Sequence, residues 1–160
     1  MLDKNILISE VRKLNDSTFD LFEGFPNSCG LACTKWSEAL YKYAKDLTPP
    51  SSNFEIARSE CRSILTGICS ANSMIQSVTI FINAIVSFCQ KISEGIWSAT
   101  FQVLYGVPPI GRPNLLPIFI KAMNGGSAFD FALEFSEEVH NFFLTGTAIN
   151  VNTGATVNWE

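Results

Sequence analysis

The stretch SMIQSVTIFINAIVSFCQKISEGIWSATFQVLY, residues 73–105, decides the fold. It lies largely within a run of 28 residues without a charge between Arg62 and Lys91, which by length invites a membrane span. Its polar residues argue otherwise. Asn72, Gln76, Thr79, Asn83, Ser87, Gln90, Glu94, Ser98 and Gln102 follow one another at steps of three or four, one continuous stripe along a helix. Ile75, Val78, Ile82, Ile85, Val86, Cys89, Ile92, Ile96, Trp97 and Phe101 surround that stripe. Amides strung along a lipid-facing helix are costly without a bundle to receive them. The spacing predicts a central helix over about 73–105 in a water-soluble helical bundle, with no stable membrane insertion.

Shorter helices are expected on either side. Leu2, Ile6, Leu7, Val11 and Leu14 keep helical spacing over 2–14, and a short turn capped by Asp16 or Ser17 is expected through Phe22. Residues 28–47 read as an amphipathic helix with Trp36, Leu40 and Tyr43 inward, stopped by Thr48-Pro49-Pro50. Residues 53–69 restart with Asn53 as cap. After the helix-breaking GVPPIGRPN of 106–114, a short helix over 115–123 tolerates Pro117 in its first turn. Ser127-x-x-Asp130 has the form of a capping box and opens a helix to Leu144.

The tail changes period. TAINVNTGATVNW, 147–159, alternates apolar and polar residues around Asn152-Thr153-Gly154, which predicts a β-hairpin with Gly154 left-handed. The fold expected is thus mainly α: a helical bundle domain over 1–146, then a hairpin arm over 147–160. A lone hairpin is marginal in water, so its apolar side needs a cover. Ile149 and Val151 share a face on one strand, Val157 and Trp159 on the other. With the adjacent Phe142 and Phe143, which one helix face cannot hide together, these six are the candidate interface; the equal alternative for Trp159 is that it folds back onto its own bundle.

Composition narrows the function. The 160 residues carry 11 basic and 15 acidic groups, a net charge of −4, which disfavours nucleic acid as main partner. Charged residues are only 16% of the chain, and 16 Ser, 10 Thr, 12 Asn and 3 Gln fill the polar role. A surface solvated by neutral groups suits coverage by other protein. The opening MLDKN lacks the basic and apolar regions of a secretory signal. Cys29, Cys33, Cys61, Cys69 and Cys89 form an odd set without CxxC pairing and read as reduced, mostly buried thiols. Cys29 and Cys33 with His140 would make an incomplete zinc site, so no metal and no cofactor are expected. His140 beside Glu137 could act as a base toward a thiol, but no motif selects a cysteine. Neither glycine-rich segment carries the Lys-Ser/Thr of a phosphate-binding loop.

The segments IVSFCQKISEGIW (85–97), VPPIGRPNLLPIF (107–119) and TGTAINVNTGATVNW (145–159) give the chain a layout that resembles small structural proteins of tailed bacteriophage particles. The resemblance implies a virion subunit of capsid, neck, tail or baseplate, made in the host cytoplasm. The resulting expectation is a non-enzymatic assembly subunit contacting copies of itself or other virion proteins. The alternatives are a membrane-associated helical protein, and a small enzyme or ligand carrier using His140 and a thiol. Loss of 147–160 is expected to spare the bundle and block incorporation.

Overall fold

A computed structural model describes residues 1–16, 26–97 and 104–160. Among these, the order is α1 (Lys4–Asn15), α2 (Cys29–Ala44), α3 (Phe54–Leu65), a 3₁₀ turn (Thr66–Ser70), α4 (Met74–Glu94), β1 (Leu104–Val107), α5 (Leu116–Met123), α6 (Ala128–Phe143), β2 (Thr147–Asn150) and β3 (Thr156–Asn158). The chain is mainly helical with a small C-terminal sheet, as the periodicities require. The turn expected through Phe22 lies outside the described residues.

Helix starts follow side-chain capping. Ser28, Ser73 and Ser127 each accept a backbone N–H from the first turn of α2, α4 and α6, at Leu31, Gln76 and Asp130. Asn53 is not the expected side-chain cap of α3; its amide donates instead to the Lys91 carbonyl at 3.2 Å.

Helix α4 is central, packing on α3, α5, the 3₁₀ turn and β1. Val78, Phe81, Ala84, Ile85, Phe88, Cys89 and Ile92 are buried, while Asn72, Gln76, Thr79, Asn83, Gln90 and Glu94 of the polar stripe are exposed. By length and composition α4 is also apolar enough to cross a membrane. Burying each large side chain of its inner face contributes about 1.5–3 kcal/mol. Around it close Leu7 and Val11 of α1, Leu40 and Tyr43 of α2, Cys61 and Leu65 of α3, and Phe135 and Phe143 of α6.

The helix does not run to 105. Its last carbonyls are taken by residues preceding α3: Ser51 Oγ donates to Ile92 O at 2.7 Å and Asn53 Nδ2 to Lys91 O. Ser52 N–H donates to Gly95 O at 2.9 Å, and Trp97 N–H to Pro50 O at 3.2 Å. A Cβ at Gly95 would lie 2.6 Å from Ser51 Oγ, so the stop needs glycine there. Apolar periodicity continues past this point in the sequence, but tertiary hydrogen bonds end the helix. Ser98 and Gln102 of the stripe lie outside the described residues.

The chain returns as β1, which pairs antiparallel with β2, giving the order β1-β2-β3. The hairpin is therefore not a separate two-stranded arm. The reduced-thiol reading is corrected too. Packing of α2 on the 3₁₀ turn brings Cys29 and Cys69 to a Cα separation of 5.7 Å, and they form a disulfide. Cys33, Cys61 and Cys89 are free and buried.

Candidate assembly surface

The hairpin is built by its turn. Buried Asn150 accepts the N–H groups of Asn152 and Thr153 on its side-chain oxygen at 2.9 and 3.1 Å. Its backbone accepts from Gly154 N–H and donates to Ala155 O, both at 2.8 Å. Gly154 sits at φ 71°, the left-handed position expected of it.

The register sets the faces. Tyr105, Ile149 and Thr156 stand in one row, and Gly106, Ala148 and Val157 in the next. The second row faces inward on β1 and β2, where Gly106 and Ala148 are buried, but is open at Val157 on β3; Tyr105 of the first row is 64% exposed. Ile149 therefore does not share a face with Val157 and Trp159. The alternation was legible, but its phase follows residue size. At Gly106 any Cβ would collide with the Ser93 carbonyl of α4, so the inner row must be small.

Trp159 supplies the missing bulk from the strand's end. It is 0% exposed, its ring lies against Gly146 with the centroid 6.3 Å from that of Phe143, and its Nε1–H donates to Thr147 O at 3.0 Å. Phe142 and Phe143 are buried as well, because the inward face of α6 is broad: with Phe131, Ala132, Phe135, Ser136 and Val139 they form one stripe wide enough for two adjacent rings. Three of the six candidate interface residues thus fill the interior of their own chain: for Trp159 this is one of the two readings the sequence left open, and for Phe142 and Phe143 it corrects the expectation that one helix face cannot hide both. Ile149 is half-buried, while Val151 and Val157 stand 61% and 41% exposed.

What sequence reasoning missed is the backbone edge. Trp159 N–H bonds Gly146 O, and Asn150 N–H bonds Ala155 O. This places the backbone groups of Ala155, Val157 and Trp159 toward β2, and those of Thr156, Asn158 and Glu160 toward the outer edge. Glu160 closes its end of that edge through paired bonds with Thr48, at 2.7 and 3.1 Å. Thr156 and Asn158 are left facing outward on a strand whose three residues are all exposed. No Asp, Glu, Lys, Arg or Pro occurs anywhere in 147–159. Edge strands are ordinarily guarded by charge, proline or a bulge.

His140 and three acidic residues of α6 have partners within the chain. A groove of about 590 Å³ is lined in part by Lys4, Asn114, Glu134, Glu137 and Glu138. Glu137 pairs with Lys4, Glu134 with Lys121, and Glu138 accepts Asn114 N–H at 2.6 Å. His140 is not joined to a cysteine: its Nδ1 meets the Tyr43 hydroxyl at 2.7 Å. Burial lowers the imidazole's pKa from 6.5, with Lys4 acting in the same direction, and burial pushes the Tyr43 phenol up. The phenol therefore donates to a neutral ring. Because the folded pKa is depressed, the unfolded chain binds the proton first. Stability should be full above pH 6.5, fall as the pH drops through it, and level off once the folded ring is protonated. Urea unfolding at about pH 8 and about pH 5.5 should show a smaller difference in His140→Gln than in the parent.

No family model, curated protein or solved structure matches the chain.

Proposed function

We propose that the chain is a non-enzymatic assembly subunit of a tailed-phage particle, acting through contacts with copies of itself or other virion proteins. The observation that carries this reading is the uncharged outer edge of β3, which offers Thr156 and Asn158 for strand addition beside exposed Val151 and Val157. Magnitudes favour a repeated assembly over a tight solution pair. Two outward residues supply only a few hydrogen bonds at about 0.5–1.5 kcal/mol each. Association costs about 4–15 kcal/mol in lost freedom. One edge contact is weak alone and effective when a lattice holds several at once.

The register provides the test. A proline at 156 removes an outward donor and no bond to β2, whereas one at 157 breaks the hairpin itself. Thr156→Pro is expected to fold with a melting temperature within a few degrees of the parent and to be missing from purified particles. Val157→Pro is expected to lose stability as well. Thr156→Pro incorporated at the parental copy number would overturn the proposal.

A further inference from the structure

The N-terminal part of α2 and the 3₁₀ turn bring three sulfurs, those of Cys29, Cys33 and Cys69, within 4.8 Å of one another. Cys29 and Cys69 form the disulfide, and Cys33 Sγ lies 4.0 Å from Cys69 Sγ while directing its S–H at Leu65 O, 3.2 Å away. A covalent cross-link needs two cysteines. The third, buried at the same point, is surplus to it. Cys61 and Cys89 stand apart from this group in the core; burial pushes their thiols up, Cys61 to about 12, and raises that of Cys33 as well.

The spacing suits a metal. Three thiolates around one ion at about 2.3 Å stand roughly 4.0 Å apart when trigonal and roughly 3.8 Å apart when tetrahedral. Cys33 already stands at that distance from Cys69. Cys29 occupies the first turn of a 16-residue helix, whose N-terminal N–H groups favour an anionic sulfur. Burial raises the Cys33 thiol's pKa on balance, and the nearby Arg62 offsets only part of that rise. Beside the sulfurs lies an apolar cavity of about 200 Å³, also lined by Ala32, Trp36, Ile68 and Phe119, with room for a fourth ligand such as water. Among the described residues no carboxylate or imidazole joins the group, and His140 is held by Tyr43. All-sulfur donors select soft cations over magnesium or calcium.

We propose that Cys29, Cys33 and Cys69 form, in the reduced chain, a three-thiolate site for one thiophilic d¹⁰ cation of the zinc class. The oxidised chain holds the disulfide and the reduced chain holds the metal. Reduction by a low-molecular-weight thiol passes two electrons and two protons to the Cys29–Cys69 bond and leaves the reductant as its own disulfide. Binding a divalent ion then displaces three protons, one from each thiol.

The test uses the full chain, reduced and kept anaerobic, titrated with Cd(II) as probe. Ultraviolet sulfur-to-metal charge transfer gives stoichiometry and affinity, with circular dichroism following the fold. The expected result is saturation at one ion per chain, no binding by the oxidised chain, and affinity lower by roughly 100-fold or more in Cys33→Ser. Cys89→Ala should bind as the parent does. A reduced chain that loses helix and regains it with one equivalent of Cd(II) supports the site equally. No saturable band, unchanged affinity in Cys33→Ser, or a reduced chain left unfolded by metal would each overturn it.

Discussion

Trp159→Ala is expected to remove about 3–5 kcal/mol of folding stability, the largest loss from any single substitution near the tail. The residue stands next to the last position of the sequence, where chains commonly fray, yet its side chain is 0% exposed. Truncation would leave a cavity between Phe143 and Gly146 and deprive the Thr147 carbonyl of its indole donor. It would also loosen the Glu160–Thr48 pair that pins the end of β3 to the loop after α2. Domains of this kind have about 5–15 kcal/mol in total, so the variant approaches global unfolding at ordinary temperature. Urea titration followed by circular dichroism measures the loss. Trp159→Phe, which keeps most of the apolar volume, should lose clearly less. A consequence is that deleting 147–160 destabilises the bundle itself, contrary to the separable arm expected from the sequence. A truncated chain with an unchanged unfolding midpoint would show that the tail is an appendage after all.

Gly106→Val is the second large effect, expected at about 3 kcal/mol. Valine is the better strand former, so intrinsic preference argues for a gain at this position. Sterics reverse the sign. The new Cβ meets the Ser93 backbone carbonyl, which cannot rotate aside as a side chain would, and β1 must lift away from α4. The change should propagate to β2, since Gly106 stands opposite Ala148 in the register. Thr156→Val, on the exposed strand, serves as the control and should stay within about 0.5 kcal/mol of the parent. Equal stability of the two variants would mean that the sheet does not lie as closely on α4 as the structure has it.

Much of the architecture was legible in the sequence because local signals and tertiary packing agree there. The three- and four-residue steps of Gln76, Thr79, Asn83 and Gln90 do mark the wet face of α4, and Ser127 does cap α6. Gly154 does take the left-handed turn. The failures share one cause: each was decided by a distant partner. The end of α4 depends on Ser51 and Asn53, some forty residues earlier in the chain. The facing of β2 depends on how closely β1 approaches Ser93. The disulfide joins cysteines 40 positions apart, which an odd count without motif spacing does not pair. The candidate surface was half legible for a related reason. Side-chain alternation singled out Val151 and Val157, but an open backbone edge depends on which amides face β2, and that is a property of register rather than residue type.

Hydrogen–deuterium exchange at the amides of Thr156 and Asn158 tests the assembly surface most directly, comparing the isolated chain with the same chain in purified particles. In the isolated chain both should exchange quickly, while Val157, bonded to β2, is protected. In particles both should become protected together, as strand addition requires. If Thr156 and Asn158 exchange as fast within the particle as outside it, the β3 edge is not where this chain meets its neighbours.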